Sequence, residues 1–351
     1  MRLAGSSLRP YRLPLTEPVV WGGTTYHHRE GVLLRLGTDD GSVGWGDAAP
    51  LPGFSRETLA EATAALGIVA SGLVGRTFDP HAVLRGPLPE ALDAAGLPSS
   101  ARFAVDLALA DLAAQATRRT LAHVLHPDPA VTLPLAGLIL SGADAEAEAV
   151  RLVAAGYRTL KLKVGRDAPT RDAARVRAVR DAVGPAVALR LDANRAWTPD
   201  QVRAFAEGLG GVGIEFLEEP VADPADLPAL WLDTALPLAL DETLQHPDGA
   251  AHLRGWAAAA VLKPTLVGGM AATLRLAAQA RAVGVLPVLS AAFESGVGMR
   301  GVAALAAATG GHAAGLDPYR WLARDVLADR LPLDCPTVDI PALLAQPVRL
   351  A

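Results

Sequence analysis

The sequence predicts an α/β protein whose main part is a TIM-like (β/α) barrel, preceded by a smaller α+β domain that caps it. A Pro- and Asp-rich link, HPDPA at 126–130, separates two differently patterned parts of the 351-residue chain. Before the link, the pattern is typical of antiparallel strands and helices. After it, short apolar runs alternate regularly with Ala-rich amphipathic stretches, which favours parallel strands joined by helices.

The first part, residues 1–128, is predicted to form the α+β capping domain. Two apolar runs flank an Asp-Asp-Gly turn within 31–48 and indicate a hairpin. Helices are predicted over 56–74, with Ser55 as the N-cap, and over 98–116. Residues 15–30 are Gly-rich and aromatic, and two interpretations remain open for them: a mobile lid or a plain connecting loop.

The second part, residues 129–317, is predicted to be the barrel that carries the active site. Its candidate strands are short apolar runs separated by segments long enough for a helix. The runs occupy 134–140, 159–165, 186–193, 213–219, 237–242, 259–264, 285–290 and 313–317. The Pro- and Leu-rich tail, about 318–351, is expected to pack back on the first domain.

Composition and charge exclude several classes of function. The formal net charge is −5 and no basic cluster is interleaved with aromatic residues, so nucleic acid is not an expected partner. No apolar stretch reaches the roughly 18–20 residues of a membrane span, and the start lacks the apolar core of a signal peptide. We therefore expect a cytoplasmic protein. Its single cysteine, Cys335, can form no internal disulfide.

Three predicted strands end in carboxylates: Asp192, Glu218 and Asp241. The carboxyl ends of neighbouring barrel strands meet on one face, so these acids are expected to lie together. Each pair about 5 Å apart would repel by roughly 3 kcal/mol at an effective dielectric near 20, and a divalent cation removes that cost. Oxygen-only ligands favour Mg²⁺. The alternative, in which each acid merely caps the next helix, explains one such residue better than three.

Lysines flank the same predicted site. Lys161 and Lys163 are two residues apart on one strand and point to the same side, and Lys263 ends a strand across the barrel. Two ammonium groups about 6 Å apart repel by roughly 3 kcal/mol, which predicts a lowered pKa and a lysine able to act as general base. Taken alone, the pair also fits the solvated face of an amphipathic edge strand.

Other polar segments are weaker candidates. His27, His28, His123 and His126 match no metal-binding spacing and are interpreted as loop or surface residues. The segments 266–269 and 290–298 are rich in glycine and precede or open predicted helices, so their backbone N–H groups could hold an anionic group. Ordinary turns explain both segments equally well.

Taken in order, the motifs resemble the enolase superfamily, and within it the o-succinylbenzoate synthase family. In the first part, GWGDAAPLPGFSRET (44–58) is similar to the loop by which that family closes over its active site. In the barrel, LKLKVG, LRLDANRAWTP, FLEEP, LDET and VLKPTLVGG follow in the family's order, and GLDPYRWLARDVL (315–327) is also similar. The resemblance implies an enolase-like architecture and a site with a lysine base and Mg²⁺.

Carried over residue by residue, the resemblance implies a role for each motif residue. Asp192, Glu218 and Asp241 would bind Mg²⁺, with Glu219 and Glu242 supporting them. Lys163 would be the general base, Lys161 its electrostatic partner, and Lys263 would face the substrate from the other side. The implied substrate-binding residues are Asn194, Ser290, Gly315 and Phe54, of which Ser290 and the Gly315 region would meet the succinyl end.

The implied reaction is the Mg²⁺-dependent dehydration of 2-succinyl-6-hydroxy-2,4-cyclohexadiene-1-carboxylate to o-succinylbenzoate in menaquinone biosynthesis. N-Succinylamino acid racemisation is the main rival, because Lys163 and Lys263 could serve as bases on opposite faces. A muconate-type cycloisomerase shares these residues, whereas a dipeptide epimerase is disfavoured because no Asp-x-Asp follows 285–290. A non-catalytic barrel that binds a partner or a small acid is the alternative from another class. The oligomeric state is left open.

Overall fold

The computed structural model describes residues 1–21, 23–84, 87–140 and 144–351. The chain begins with an antiparallel sheet of three strands in the order β1-β2-β3. These are β1 (Leu3–Trp21), β2 (Thr24–Thr38) and β3 (Val43–Ala48). The predicted hairpin around Asp39, Asp40 and Gly41 is confirmed, and Gly41 has the positive φ of 86° that its turn requires.

The described residues of the segment 15–30 belong mainly to strands β1 and β2, so the interpretation as a plain connecting loop is wrong, while a role as a mobile lid stays a prediction. The segment forms the outer half of the β1–β2 hairpin, where Val19 pairs with Tyr26. The register shifts between Pro14 and Val19, because the prolines in this stretch offer no N–H to the ladder. This irregularity explains why the sequence lacks a clear strand pattern here.

Four helices of the described chain accompany this sheet, and the first and third of them pack against it. They are α1 (Leu59–Leu73), α2 (Pro87–Ala94), α3 (Ser99–Thr117) and α4 (Leu121–Leu125). The N-cap of α1 is Thr58 and not Ser55 as predicted, because Thr58 and Glu61 form a reciprocal capping box. The Ser55 hydroxyl instead accepts a hydrogen bond from the Leu51 N–H at 2.8 Å and closes the preceding turn.

We expect Thr58→Ala to destabilise the protein by about 1 kcal/mol, since it removes the acceptor for the Glu61 N–H and one half of the capping box. Urea unfolding followed by circular dichroism would measure this loss. Ser71→Ala is the matched control, because the Ser71 hydroxyl lies late in the same helix and bonds only to the Gly67 carbonyl. Equal midpoints for Thr58→Ala and the wild type would contradict the capping assignment.

The barrel sheet has seven parallel strands, hydrogen-bonded in chain order. They are β5 (Ala136–Ile139), β6 (Thr159–Lys163), β7 (Ala188–Asp192), β8 (Phe216–Glu218), β9 (Leu238–Leu240), β10 (Ala257–Leu262) and β11 (Leu286–Leu289). Each of these strands overlaps one of the apolar runs that were predicted to be strands. The short strand β4 (Thr132–Pro134) precedes them.

The predicted eighth strand, 313–317, is reduced to two bridging residues. Ala314 forms a parallel bridge to Leu135, and Gly315 forms a parallel bridge to Ser290. The two residues therefore join the last strand of the sheet to the first. The predicted (β/α) barrel is confirmed as a curled parallel sheet that this segment closes.

Helices follow the strands and surround the sheet. They are α5 (Ala145–Ala154), α6 (Pro169–Val183), α7 (Pro199–Leu209), α8 (Leu227–Thr234), α9 (Pro264–Val267), α10 (Gly269–Ala282) and α11 (Gly296–Ala308). Outward leucines of the strands pack against these helices in one large core. A small separate cluster, Phe216, Ala239, Ala259, Val261 and Val288, lies among β8–β11. Four of these five residues are alanines or valines of adjacent strands, which leaves room at the mouth of the barrel.

The final segment contacts both parts of the chain. Leu322 bridges to Leu15 of β1, and strand β12 (Thr337–Asp339) pairs antiparallel with β4. Helix α12 (Ile340–Ala345) follows. In the part of the chain that the structure describes, no helix is both long enough and apolar enough to cross a lipid bilayer.

Candidate active site

The charged residues predicted for the site lie at the carboxyl ends of consecutive strands. Lys163, Asp192 and Glu218 stand in register across β6, β7 and β8. Asp241 directly follows β9, and Lys263 directly follows β10. Because parallel strands present their carboxyl ends on one face of a barrel, the structure brings these side chains together.

Asp192 is the centre of this ion cluster. Lys161 Nζ lies 2.8 Å from Asp192 Oδ2, and Lys163 Nζ lies 2.6 Å from the same oxygen. Lys161 also donates to Glu218 Oε2 at 2.7 Å, and Lys163 donates to Asn194 Oδ1 at 2.7 Å. The two lysines of one strand therefore share one fully buried carboxylate.

Lys263 approaches the cluster from β10 and pairs with the buried carboxylate of Asp241. Glu219 holds the backbone that carries Asp241. Its Oε1 accepts hydrogen bonds from the N–H groups of Asp241 and Thr243, each at 2.8 Å. Glu219 thus lies beneath the cluster and orients it.

The predicted lowering of the pKa is wrong for Lys161, and the pKa of Lys263, for which no shift was predicted, is raised as well. Burial alone would lower the pKa of each ammonium, but the adjacent carboxylates outweigh it and raise the pKa of both. The same contacts hold the pKa of Asp192 below its usual range despite its burial. Burial, with Asp192 beside it, raises the pKa of Glu218. Lys161 and Lys263 therefore each have a carboxylate partner. The attraction to these carboxylates outweighs the repulsion between the ammonium groups, from which the lowered pKa was predicted.

The donor chemistry of this cluster suits Mg²⁺, since three buried carboxylates from adjacent strands supply oxygen ligands only. A further carboxylate oxygen, Glu242 Oε2, is buried beside Asp241 without a hydrogen-bond partner among the described residues. As they lie, however, no three acidic, histidine or cysteine side chains of the described residues enclose an ion. Ammonium groups lie between the carboxylates, so binding a cation requires the lysines to move aside.

A cavity opens above the cluster. Its floor is charged and includes all three lysines together with Asp192 and Glu218. Its walls are largely apolar and come from β1, from the loop after β3 and from the ends of the barrel strands. These wall residues are Val19, Val20, Leu51, Phe54, Leu138, Phe216, Val261, Val288 and Phe293. Such a cavity suits a small ligand with a carboxylate at one end and an apolar ring.

All four predicted substrate-binding residues, Asn194, Ser290, Gly315 and Phe54, line this cavity. Asn194 also contacts Lys163 Nζ and donates to Glu242 Oε1 at 3.3 Å. Ser290 Oγ lies 3.4 Å from the Gly315 carbonyl at the point where the barrel closes. The structure therefore places these residues together, and their roles toward a substrate remain predictions.

Two family models match the chain. "MenC, N-terminal domain" matches residues 4–82, and "Enolase C-terminal domain-like" matches residues 144–344, more than half of the chain. The o-succinylbenzoate synthase of Yersinia enterocolitica is 33% identical over 87% of this chain and 86% of its own length. The chain belongs to the o-succinylbenzoate synthase family of the enolase superfamily. The resemblance read from the motifs is thereby confirmed.

Membership of the o-succinylbenzoate synthase family makes the chain an enzyme, a carbon–oxygen lyase, rather than a non-catalytic barrel. The synthase of Edwardsiella ictaluri, also 33% identical, is covered over 92% of both chains. The chloroplastic protein PHYLLO of Arabidopsis thaliana is 30% identical over 94% of this chain, which spans only 22% of that much longer protein.

Solved structures of the superfamily share the whole fold. The L-Ala-D/L-Glu epimerase of Bacillus subtilis has a TM-score of 0.86, with 27% identity and 97% coverage of both chains. A dipeptide epimerase of Enterococcus faecalis, complexed with Mg and a dipeptide, has a TM-score of 0.85, with 25% identity and 97% coverage of both chains. The enolase-like architecture is therefore confirmed, while the neighbours catalyse reactions different from that of the o-succinylbenzoate synthase family.

Sequence reasoning missed Arg190, which lines the cavity below Asp192. Its guanidinium is buried, pairs with Glu215 at 2.7 Å and lies 5.1 Å from the centre of the Phe216 ring. Arg190 is two residues before Asp192 on β7, so strand alternation predicts that both face the barrel interior. The position of Arg190 in the barrel interior could therefore have been predicted from the sequence.

The two segments considered as anion holders serve other partners. Asp106 of α3 accepts from the Ala271 N–H at the start of α10, at 3.0 Å. At the start of α11, Asp47 accepts from the Ser295 N–H at 2.9 Å, and Asp325 accepts from the Gly296 N–H at 2.8 Å. The protein's own carboxylates bind these N–H groups, which favours the purely structural interpretation of both segments.

The cluster holds every lysine in the chain. The sequence contains three lysines, Lys161, Lys163 and Lys263, whereas all other basic side chains apart from histidine are arginines. Lysine is the cation whose proton affinity responds readily to its surroundings, and arginine stays protonated. The distribution of lysine in the sequence therefore favours proton transfer by an amine at this one site.

Proposed function

We propose that the chain catalyses the dehydration of 2-succinyl-6-hydroxy-2,4-cyclohexadiene-1-carboxylate to o-succinylbenzoate, a step of menaquinone biosynthesis. The observation that carries this proposal is the site itself: three lysines and three buried carboxylates beneath a cavity with apolar walls. The o-succinylbenzoate synthases that are about one third identical over most of the chain support it. The partner is thus a small carboxylate substrate.

Asp192, Glu218 and Asp241 would hold Mg²⁺, because they are the buried carboxylates at neighbouring strand ends. Mg²⁺ bound there would stabilise the negative charge that develops on the substrate carboxylate during proton removal. Dipeptide epimerases of the superfamily, whose structures were solved in complex with Mg, support this choice of ion. The lysines, which contact these carboxylates directly, then become available to the substrate.

Lys163 is the proposed general base. Its side chain is 24% exposed, against 15% for Lys161 and 11% for Lys263, so its Nζ has the freest access to the cavity. Lys163 Nζ takes the proton α to the ring carboxylate, and the electron pair of that C–H bond moves into the carboxylate. The bond to the 6-hydroxyl then breaks, and the same Nζ returns the proton so that water leaves and the ring becomes aromatic.

The other two lysines hold charge in place. Lys161, which would leave Asp192 and Glu218 to the metal, keeps a cation beside the base on the same strand. Lys263 faces the substrate ring from β10 and stabilises the negative charge of the intermediate from the opposite side. The apolar walls, including Phe54 and Phe293, cover the ring and exclude water.

The direct test is to follow the cyclohexadiene absorbance after adding purified protein. We expect rapid loss of absorbance with Mg²⁺, none with EDTA, and recovery when excess Mg²⁺ is restored. Buffer with Mg²⁺ alone is the control for spontaneous dehydration. A rate that EDTA does not change would contradict the metal-dependent mechanism.

N-Succinylamino acid racemisation is the second candidate. Lys163 on β6 and Lys263 after β10 belong to non-adjacent strands, so they can address opposite faces of an α-carbon. This activity predicts exchange of the α-proton of an N-succinyl amino acid with deuterated solvent, followed by proton NMR. Retention of the α-proton throughout an incubation that completes dehydration would exclude it.

A further inference from the structure

Arg29 of β2 is buried, with 1% of its surface exposed, yet no carboxylate in the described part of the chain lies within ion-pair distance of it. Every hydrogen bond of its guanidinium goes to a backbone carbonyl. The acceptors are Phe293 at 3.0 Å, Pro50 at 2.7 Å, Glu30 at 3.1 Å, Ala292 at 3.3 Å, and Ala49. A buried cation bound only by carbonyls is uncommon and points to a specific role in placing the backbone.

Of the five carbonyls, that of Glu30 belongs to β2 itself, and the other four belong to two loops that face each other across the cavity. The first, residues 49–54 after β3, is called the cap loop and carries Leu51 and Phe54. The second, residues 290–295 after β11, is called the rim loop and carries Ser290 and Phe293. Arg29 lies between them and hydrogen-bonds to both, so one rigid group sets their separation.

Asp47 of β3 holds the same rim loop through Ser295. Asp47 Oδ2 accepts from Ser295 N at 2.9 Å and from Ser295 Oγ at 2.7 Å, while Oδ1 accepts from the Tyr11 hydroxyl at 2.9 Å. The first sheet therefore contacts the rim loop twice: Arg29 donates to its carbonyls, and Asp47 accepts from the N–H and the hydroxyl of Ser295. Neither contact reaches the lysines or the carboxylates of the cluster.

We propose that Arg29 is a positioning residue that fixes the spacing of the cap and rim loops and so determines how tightly the substrate's ring and side chain are bound. This inference rests on the proposed function. Removing it leaves the buried carbonyls without their donors and lets the two loops separate. The reacting groups lie on β6–β10, which Arg29 does not contact. Loss of Arg29 therefore affects KM far more than kcat.

Arg300 of α11 is a matched control. It is also buried, at 7% exposed, and its guanidinium also donates to backbone carbonyls, those of Leu343, Leu344 and Gln346. These contacts hold the C-terminal helix α12, and Arg300 does not line the cavity. Arg29→Met and Arg300→Met thus each remove a buried guanidinium, but only Arg29 bonds to loops that line the cavity.

The kinetic test compares these two variants with the wild type in the dehydration assay. We expect Arg29→Met to raise KM by about tenfold or more with a much smaller change in kcat, because misplaced walls weaken binding at a distance from the chemistry. Arg300→Met should lower the thermal midpoint and leave both constants near their wild-type values. Arg29→Lys, which keeps the charge but offers fewer hydrogen-bond donors, should also raise KM.

A second test needs no substrate. Arg56 is exposed just beyond the cap loop and contacts His246 Nδ1 at 2.8 Å, so trypsin cleavage after Arg56 reports release of this loop. We expect faster cleavage at Arg56 in Arg29→Met and Arg29→Lys than in Arg300→Met. Unchanged KM and unchanged cleavage in both Arg29 variants would overturn the inference. Failure of the wild type to dehydrate the substrate would refute the proposed function instead, and the cleavage test of Arg29 would still stand.

Discussion

Lys163→Ala is expected to lower the rate of dehydration by about 10²–10⁴-fold while the fold and the thermal midpoint change little. The substitution removes the only group proposed to take the α-proton, and general base catalysis contributes a factor of this size. Lys163 is partly exposed to the cavity, so its loss leaves no large apolar void. Stopped-flow absorbance with saturating Mg²⁺ would measure the loss.

Arg171→Ala is the control for removing a nearby cation. Arg171 lies on the helix after β6, its side chain is 77% exposed, and it makes only a long surface contact with Asp167. Its replacement should leave dehydration unchanged. A Lys163→Ala protein that retains a substantial fraction of wild-type kcat would show that another group removes the proton.

Asp241→Asn is expected to weaken Mg²⁺ binding by at least about tenfold. The amide keeps the shape of the side chain but removes one of three negative charges, and changes around metal ligands typically cost 10–100-fold in affinity. It also removes the carboxylate that pairs with Lys263. Activity should fall in parallel and recover partly at high Mg²⁺ concentration.

The lysine content offers a readout that does not depend on turnover. Protein labelled with ¹³C only at the Cε of lysine should show three ¹³Cε signals, all from the cluster, and Mg²⁺ should shift them in the wild type at lower concentration than in Asp241→Asn. Asp317→Asn is the matched control, since Asp317 is buried at the same cavity but pairs with Arg320. Identical Mg²⁺ titrations for the wild type and Asp241→Asn would show that Asp241 is not a ligand.

The barrel and its ion cluster could be predicted because both follow from short-range patterns. Each strand is an apolar run, and strands of one parallel sheet must end on one face, which brings Asp192, Glu218 and Asp241 together without knowledge of the full fold. The same reasoning placed Lys161 and Lys163 on one side of β6. The family motifs added the roles that residue types alone do not supply.

Features that depend on pairing across the chain could not be predicted. The outer β1–β2 hairpin was hidden by Pro14 and Pro18, whose lack of an N–H is tolerated only because the ladder shifts register there. The pKa of Lys161 was expected to fall, since ammonium repulsion is evident from spacing, whereas the contacts with Asp192 and Glu218 are not. Which carboxylate lies against which ammonium depends on side-chain geometry in the closed barrel.

Arg29 shows the same limit more clearly. Nothing in its sequence neighbourhood distinguishes it from the exposed Arg12 or the half-buried Arg35, because its partners are backbone carbonyls separated from it by as many as 264 residues. Its burial becomes evident only when the first sheet meets the rim loop. Arg190, in contrast, was accessible from strand alternation alone.

The most direct test of the proposed reaction compares two activities in one protein preparation. With saturating Mg²⁺, kcat/KM for dehydration of the cyclohexadiene substrate is measured beside kcat/KM for racemisation of an N-succinyl amino acid. If the proposed reaction is correct, we expect efficient turnover of the cyclohexadiene substrate and slow or absent turnover of the N-succinyl amino acid. Racemisation without dehydration would leave the fold and the lysine cluster intact but contradict the proposed reaction.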